Sequence, residues 1–460
     1  MTVTFTPVVL AAGQGTRMRS TMAKVLHPLA FEPLLGHVLR AAAAAGAETA
    51  TLVLAPGMDQ VAAFAKHSGL ALQIAEQNPP LGTGHALQCA APTLPLRGAV
   101  VVLFGDTPFV EPATIVDLVR ALAAADAAVA VLGMELADAG AYGRLLTDGE
   151  TLHAIVEAAD ADDAVRALGL ANSGVMAFDA ARLGELLAEL PARTARDGNQ
   201  EFYLTDTVAL ARAKGWRCVW RPCSEIEGLG INDRVQLAAA EAILQGRLRE
   251  RAMRAGVTML DPASVTLALD TRFGRDVVLE PQVLIGPGVT LEDGVRVRAF
   301  SHLMVDGPKE TKPIVVRQGA VIGPFARLRS GADVGTDAHV GNFVELKNAR
   351  LDAGAKANHL TYLGDCSVGA GSNVGAGTIT CNYDGFGKYR TEIGAGVFVG
   401  SHATLVAPVT IGDGAIIGAG SWVGRDVPVD ATHVARGVAE VRPGGAARLR
   451  RHLQRRAGKG

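Results

Sequence analysis

Ile393, Val399, Leu405, Ile411, Ile417 and Val423 stand six positions apart, and glycine follows all of them except Leu405. Four positions after each stands a small or apolar residue: Val397, Ala403, Val409, Ala415, Ser421 and Val427. The same register recurs at Ile322, Leu328, Val334, Val340 and Leu346, and earlier at Leu279, Ile285, Leu291 and Val297. A period of six fits neither the α-helix nor an alternating strand. It is the pattern of a hexapeptide parallel β-helix, in which short strands stack into a prism and each repeat needs its neighbours to bury its apolar face. Two stretches interrupt the beat, Gly307 to Pro313 and Thr380 to Glu392. Irregular loops on a regular scaffold are where function concentrates.

The first half carries an unrelated pattern, so the chain reads as two machines joined. From Thr4 to about Gly228, apolar strands alternate with Ala-rich helical stretches: Val8 to Leu10, Ala50 to Ala55, Ala99 to Phe104 and Ala127 to Gly133 as strands, Leu34 to Ala45 and Pro112 to Ala125 as helices. This alternation predicts a mostly parallel sheet with helices on both faces. A long helix is expected after Asn232-Asp233, with Leu237, Leu244 and Leu248 on one side. About 20 residues would span roughly 30 Å and act as a rigid connector. The expected division is residues 1–231, a linker helix over 232–254, and a β-helix with a basic tail over 255–460.

Composition narrows the function classes. A hydrophobic content of 49% with 20% charged residues fits a soluble globular protein. The net charge of −2 hides an asymmetry: residues 436–460 carry +7, which leaves −9 on the rest. The basic run Arg448 to Arg456 has neither aromatic residues nor a binding fold beside it, so it reads as a solvated or phosphate-facing tail rather than a nucleic-acid arm. No apolar stretch is long enough to span a bilayer. Five cysteines without metal-ligand spacing or a signal peptide suggest reduced thiols in the cytoplasm.

The first strand runs directly into Leu10-Ala-Ala-Gly-Gln-Gly-Thr-Arg-Met18. A Gly-rich strand-to-helix turn brings backbone N–H groups close to phosphate, and Arg17 and Lys24 add positive charge beside it. Gln77 and Leu81-Gly-Thr-Gly-His-Ala86 form a second turn that opens a helix, suited to a nucleobase and ribose. Phe104-Gly105-Asp106 ends the third strand. Ligands in open α/β sheets bind beyond the carboxyl ends of strands, where an Asp can hold Mg²⁺ against phosphate oxygens. Taken alone, Asp106 reads first as a turn or helix-capping residue.

In the second half, polar residues cluster among the coils: Arg327-Leu-Arg329, Lys347, Asn358-His359-Leu-Thr-Tyr362, and the loop Thr380 to Lys388. Singly, each is a surface residue or turn former. Together they suit a negatively charged sugar phosphate and an amine nucleophile. Histidine, with an ordinary pKa of about 6.5, serves as a base near neutral pH. A neighbouring carboxylate would hold it poised, although the sequence does not say which one.

The N-terminal motifs, with Tyr142-Gly143-Arg144, Ile155-Val156-Glu157, Asn172-Ser173-Gly174 and Gly230-Ile231-Asn232, resemble the sugar-nucleotide pyrophosphorylases. With the C-terminal half included, the chain resembles the bacterial bifunctional N-acetylglucosamine-1-phosphate uridylyltransferases/glucosamine-1-phosphate acetyltransferases. That resemblance implies a Rossmann-like nucleotidyltransferase domain, a long connecting helix and a left-handed parallel β-helix, assembled as a cytoplasmic homotrimer. It implies acetyl transfer from acetyl-CoA to glucosamine 1-phosphate. Mg²⁺-dependent uridylyl transfer from UTP to N-acetylglucosamine 1-phosphate follows, supplying peptidoglycan and lipopolysaccharide synthesis.

By the same resemblance Leu10, Ala11, Ala12, Gly13, Gln77, Gly82 and Thr83 hold the nucleotide, beside Phe104 and Gly105. Arg17 and Lys24 neutralise the triphosphate, and Asp106 and Asn232 bind Mg²⁺. Gly143, Glu157 and Asn172 hold the N-acetylglucosamine moiety. In the acetyl site Arg329, Lys347, Tyr362, Asn373 and Lys388 bind glucosamine 1-phosphate and His359 is the general base. Ala376, Asn382, Tyr383, Ser401, Ala419 and Arg436 contact acetyl-CoA. The chain departs from the family pattern at Ala23, where proline is usual before the lysine, and at Phe104, where tyrosine is expected. Two rival readings remain: a uridylyltransferase whose β-helix is only structural or regulatory, and a non-catalytic sugar-nucleotide sensor. His359 with the Asn382-Tyr383 loop argues against the first, and Arg17, Lys24, Asp106 and Asn232 against the second.

Overall fold

The computed structural model describes residues 4–194, 200–305, 307, 312–435, 437 and 441–456. The chain divides into two compact units, Met1–Gln245 and Gly246–Gly460. The first is built on a nine-stranded sheet. Its strands run in the spatial order Ala71–Glu76, Thr49–Leu54, Phe5–Leu10, Ala99–Phe104, Leu170–Asp179, Ala127–Glu135, Arg217–Cys223, Thr151–Val156, Arg144–Asp148. Along Ala99–Phe104, alternate residues enter two separate cores. Val101 and Leu103 pack with Leu35, Leu39 and Ile115 on one face, and Val100 and Val102 with Leu87, Leu186 and Val208 on the other. That is why the strand reads as an unbroken apolar run rather than an alternation.

The sheet is mixed rather than mostly parallel. The first four strands in that order are parallel to one another, but Leu170–Asp179 runs antiparallel to both its neighbours. The hairpin Arg144–Asp148 with Thr151–Val156 is antiparallel too. The physical reason lies in the connections. Parallel neighbours need a crossover of a dozen residues or more, and between residues 144 and 179 the only described helix is the four-residue Asp163–Arg166.

The second unit is the expected prism. From Thr266 onward, strands pair in parallel with the strand one coil later, for example Thr266 with Leu284 and Phe398 with Ile416. That offset of 18 residues is three hexapeptides, one for each face. The six-residue register faces inward: Val399, Leu405, Ile411, Ile417 and Val423 are fully buried, and Val399 stacks on Ile417 and Leu405 on Val423. The position four residues on is buried as well, from Val397 to Val427. Where the beat is interrupted the offset lengthens: Val289 pairs with Ile314 and Cys366 with Thr391. The coils before the second interruption are one residue short, His339 pairing with Lys356.

The helix Arg234–Arg254 has 21 residues. Ala240, Leu244, Leu248 and Ala252 form its buried stripe, as helical spacing requires. Within the first unit, its Glu241 accepts the N–H of Ala30 at 2.7 Å. Within the second, Arg249 donates to the carbonyls of Ala263 and Val265, both at 3.1 Å. Among the described residues no helix is long and apolar enough to cross a membrane. All five cysteines are free thiols. Burial pushes Cys218 and Cys366 up to about 12.

Candidate active sites

In the first unit, Leu10 and Phe104 are register partners at the carboxyl ends of adjacent parallel strands. These ends, Gln77 and the start of the helix Gly82–Ala90 enclose a cavity of about 320 Å³. Leu10, Ala11, Ala12, Gly13, Lys24, Gln77, Gly82, Thr83, Phe104 and Asp106 all line it, and Gln14, Pro80 and Glu201 join them. Gly105 sits at the same strand end, donating its N–H to Leu10 O at 3.0 Å. The turn after the first strand does not open an α-helix; it leads into a three-residue 3₁₀ turn, Thr16–Met18. A phosphate there meets loop N–H groups and side-chain cations rather than a long helix dipole.

Two glycines make the cavity wall possible. Gly15 has φ of 60°, and a Cβ there would fall 2.5 Å from Lys24 Cβ, so glycine lets Lys24 reach the turn. Gly82 has φ of 91°, and a Cβ would fall 2.7 Å from Phe202 O. Ala23 adopts φ −56° and ψ 137°, the backbone that proline would impose, so the departure from proline leaves the geometry unchanged.

At one side of the cavity a charged corner forms. The Lys24 ammonium makes an ion pair with Asp106 and donates to Asn232 Oδ1 at 3.2 Å. Arg17 donates to the same oxygen at 2.9 Å. The main chain joins the two loops, Ile231 N–H donating to Asp106 O at 2.9 Å. The predicted sugar residues gather next to one another, a Cβ at Gly143 falling 3.4 Å from Glu157 Oε2. Asn172 N–H donates to Gly143 O at 2.8 Å, and Glu157 accepts from the Thr205 hydroxyl at 2.8 Å. Phe104 lies against Gly174, where a Cβ would come within 2.9 Å of its ring, and Asn172 Oδ1 accepts the N–H of Gly174 at 2.9 Å. Burial raises the Tyr142 hydroxyl above its ordinary range.

In the prism, Asn342 and His359 are register partners on successive coils. Their side chains meet, His359 Nδ1 to Asn342 Oδ1, at 2.6 Å. The neighbour of the histidine is therefore a carboxamide, not the carboxylate that sequence reasoning entertained. With that oxygen as acceptor, the imidazole donates from Nδ1 and keeps its lone pair on Nε2. The same edge continues through the predicted Ala376, Ser401 and Ala419. Gly377 N–H donates to Leu360 O at 3.1 Å, His402 N–H to Ala376 O at 2.7 Å, and Gly420 N–H to Ser401 O at 2.8 Å.

An adjoining face carries the other predicted cations. Arg329 donates to Glu345 at 2.8 Å, and Lys347 is the register partner of Gly364 one coil on. Tyr362 lies against Gly364; burial raises its hydroxyl above the ordinary range, with the Asn382 hydrogen bond pulling the other way. Asn382 is anchored by Asp365, which accepts its amide at 2.5 Å and that of Asn348 at 2.6 Å. Asn373 lies on the other face, in register with Phe398. Tyr383 and Lys388 face each other across an exposed turn. Arg436 lies outside the described residues. Asn342 and Asp365 were missed in the sequence, yet each stands 17 residues, one local coil, before His359 and Asn382. That offset was the available signal.

A sheet with a nucleotide-sized cavity at its strand ends, followed by a hexapeptide prism, defines a two-domain transferase. Residues 7–178 match the family of MobA-like NTP transferase domains, and residues 390–425 match bacterial transferase hexapeptide (six repeats). The bifunctional protein GlmU of Paracoccus denitrificans is 50% identical over 452 residues, 98% of each chain. Those of Paramagnetospirillum magneticum and Azorhizobium caulinodans are 47% and 49% identical, each covering 96% of both chains. The chain belongs to the GlmU family. It is a bifunctional enzyme of UDP-N-acetylglucosamine synthesis, a glucosamine-1-phosphate N-acetyltransferase and a uridylyltransferase, with acetyl-CoA and UTP as co-substrates. The full-length match to bifunctional relatives disfavours a β-helix that is only structural.

Proposed function

We propose that the cavity of residues 1–231, with the charged corner that Asn232 completes, carries uridylyl transfer, that residues 255–460 carry acetyl transfer, and that residues 232–254 link them. The observation that carries the reading is that Lys24 and Asp106 line the cavity while Asn232 accepts hydrogen bonds from both Lys24 and Arg17.

In the uridylyl step, a phosphate oxygen of N-acetylglucosamine 1-phosphate attacks the α-phosphorus of UTP. A P–O bond forms, the bond to the β-phosphate breaks, and pyrophosphate leaves. Both reactants are anions, so positioning and electrostatic stabilisation carry the catalysis. Leu10 to Gly13, Gln77, Gly82 and Thr83 hold the nucleotide against Phe104 and Gly105. Arg17 and Lys24 screen the phosphates, and Gly143, Glu157 and Asn172 orient the sugar. Asp106 and Asn232 fit Mg²⁺: both oxygens already meet one cation, the Lys24 ammonium, and Mg²⁺ favours one or two protein oxygens plus phosphate and water. When bound, the ion supplies neutralising charge on the phosphate oxygens.

In the acetyl step, the amine of glucosamine 1-phosphate attacks the thioester carbon. A C–N bond forms, the C–S bond breaks, and the amine proton passes to Nε2 of His359 as CoA leaves. Asn342 holds the ring with that nitrogen free. Arg329, Lys347, Tyr362, Asn373 and Lys388 bind the sugar phosphate, and Ala376, Asn382, Tyr383, Ser401 and Ala419, with Arg436, receive acetyl-CoA. Acetylation precedes uridylylation, because the uridylyl site is read as selecting the N-acetylated sugar.

A homotrimer is supported by the edge beside His359. Phe300, Phe325, Phe343 and Leu360 stand there between 46% and 61% exposed, with ring centroids 4.8 and 5.2 Å apart along the phenylalanine stack. Such an apolar ladder matches another ladder of the same pitch, and closed symmetry limits the assembly. A cytoplasmic location suits UTP, acetyl-CoA and free thiols.

The test is to supply glucosamine 1-phosphate, acetyl-CoA, UTP and Mg²⁺ and to follow CoA and pyrophosphate separately. Release of both is expected, with pyrophosphate depending on acetylation. Pyrophosphate only from pre-acetylated sugar phosphate would overturn the assignment of the acetyl site.

A further inference from the structure

Glu227 is buried, 8% exposed, and it accepts four hydrogen bonds. Two come from its own loop: Ser224 N–H at 3.0 Å and the Ser224 hydroxyl at 2.9 Å, both to Oε2. The other two reach Oε1 from the segment that follows Asp106: the N–H of Glu111 at 3.4 Å and the hydroxyl of Thr114. One carboxylate thus ties the loop leading to Asn232 to the start of the helix Pro112–Ala124. Gly228, the next residue, is wedged against the preceding strands, where a Cβ would fall 2.5 Å from Met134 Sδ and 3.2 Å from Ser173 Cβ. The loop then delivers Ile231 N–H to Asp106 O at 2.9 Å.

We propose that Glu227 is a positioning residue for the uridylyl site, setting the distance between the oxygens of Asp106 and Asn232 by clamping their two loops together. The inference rests on the reading of those two residues as metal donors. Glu227 neither lines the cavity nor joins the charged corner. Its two oxygens face opposite loops, so each loop can be released separately. Burial opposes its charge, but its hydrogen bonds, the one from Thr114 foremost, outweigh that and hold the carboxyl below its ordinary range. The clamp therefore stays an ionised acceptor at neutral pH. A hydrogen bond to a charged group is stronger than one between neutral groups, and four of them hold the loop to the helix start.

The experiment is Mn²⁺ binding in the presence of UTP, read by electron paramagnetic resonance on the full chain, for wild type, Glu227→Ala, Thr114→Val and Asp106→Ala. Asp106→Ala should abolish the bound signal. Glu227→Ala should weaken Mn²⁺ about tenfold or more, and Thr114→Val, which frees one loop only, by a few-fold. The thermal transition of each variant is recorded alongside, and acetyl transfer should be unchanged in all. Loss of Mn²⁺ affinity in Asp106→Ala but wild-type affinity in Glu227→Ala and Thr114→Val would overturn the clamp and keep the metal reading. Unchanged affinity in Asp106→Ala would overturn the metal reading itself. If Glu227→Ala fails to fold, Thr114→Val decides: unchanged Mn²⁺ affinity in that folded variant overturns the clamp.

Discussion

In the first unit the candidate site is a cavity of about 320 Å³ between the ends of strands, whereas in the second the corresponding side chains stand on flat strand faces and along one edge. The difference follows from the two architectures. A sheet covered by helices hides its strands completely and exposes only the loops at its carboxyl edge, so loops from several strands can enclose a ligand. A prism turns all its inward positions into core and leaves outward positions in straight columns. Such columns give regular spacing, and the pockets lined by Arg317, Asp333 and Arg350 and by Arg272, Thr290 and Gln318 do not include His359. Lys24 and Asp106 are 12% and 16% exposed in the first unit, whereas His359 is exposed on its edge.

Removing divalent metal should separate the two units most sharply. With excess chelator, pyrophosphate release should fall below detection while CoA release continues at its full rate. If CoA release fell in parallel, the two halves would not differ in the way described. Next in size is Lys24→Ala, which deletes the cation shared by Asp106 and Asn232. Uridylyl transfer should fall about 10²–10³-fold, the scale set by losing one electrostatic stabiliser, with acetyl transfer unaffected. A loss under threefold would place Lys24 outside the reaction. Asn342→Ala should act on the other unit alone. It leaves His359 in place but unoriented, and about a tenfold fall in the rate of acetyl transfer, or 1.4 kcal/mol, is expected. Wild-type turnover would mean that the histidine needs no such partner.

The smallest effect concerns stability. His37 in the first unit is buried, its Nε2 2.9 Å from Leu29 O. Burial lowers its pKa below the ordinary 6.5, against the Leu29 carbonyl and Glu32, which raise it, while Arg40 adds to the lowering. As pH falls through about 6.5 the unfolded chain takes up the proton before the folded one does, so stability present above that pH is lost below it. The Tm of the first unit should therefore drop between pH 7.5 and 5.5, and by less in His37→Gln than in wild type. An equal drop in both would remove His37 from the account.

Much of this was legible because both architectures write their cores periodically. Ile417 and Val423 announce the prism through spacing alone, and both are fully buried. The strand Ala99–Phe104 was legible because both its faces are covered. The direction of Leu170–Asp179 was not, because an apolar run carries no sign of whether its neighbour is parallel. Local motifs placed Lys24 and Asp106 in one cavity. The contact of Glu227 with Thr114, 113 residues away, has no local signature. Asn342 was an intermediate case: a partner one coil before His359 follows from the period only once the coil is known to be 17 residues there rather than 18.

The central claim is that one chain holds two independent sites. Its most direct measurement is release of CoA and of pyrophosphate by Asp106→Ala and by His359→Ala, each supplied in turn with glucosamine 1-phosphate and with N-acetylglucosamine 1-phosphate. Asp106→Ala should release CoA at the wild-type rate and no pyrophosphate. His359→Ala should release pyrophosphate only from the acetylated sugar phosphate and almost no CoA. A folded variant that lost both activities would contradict the account.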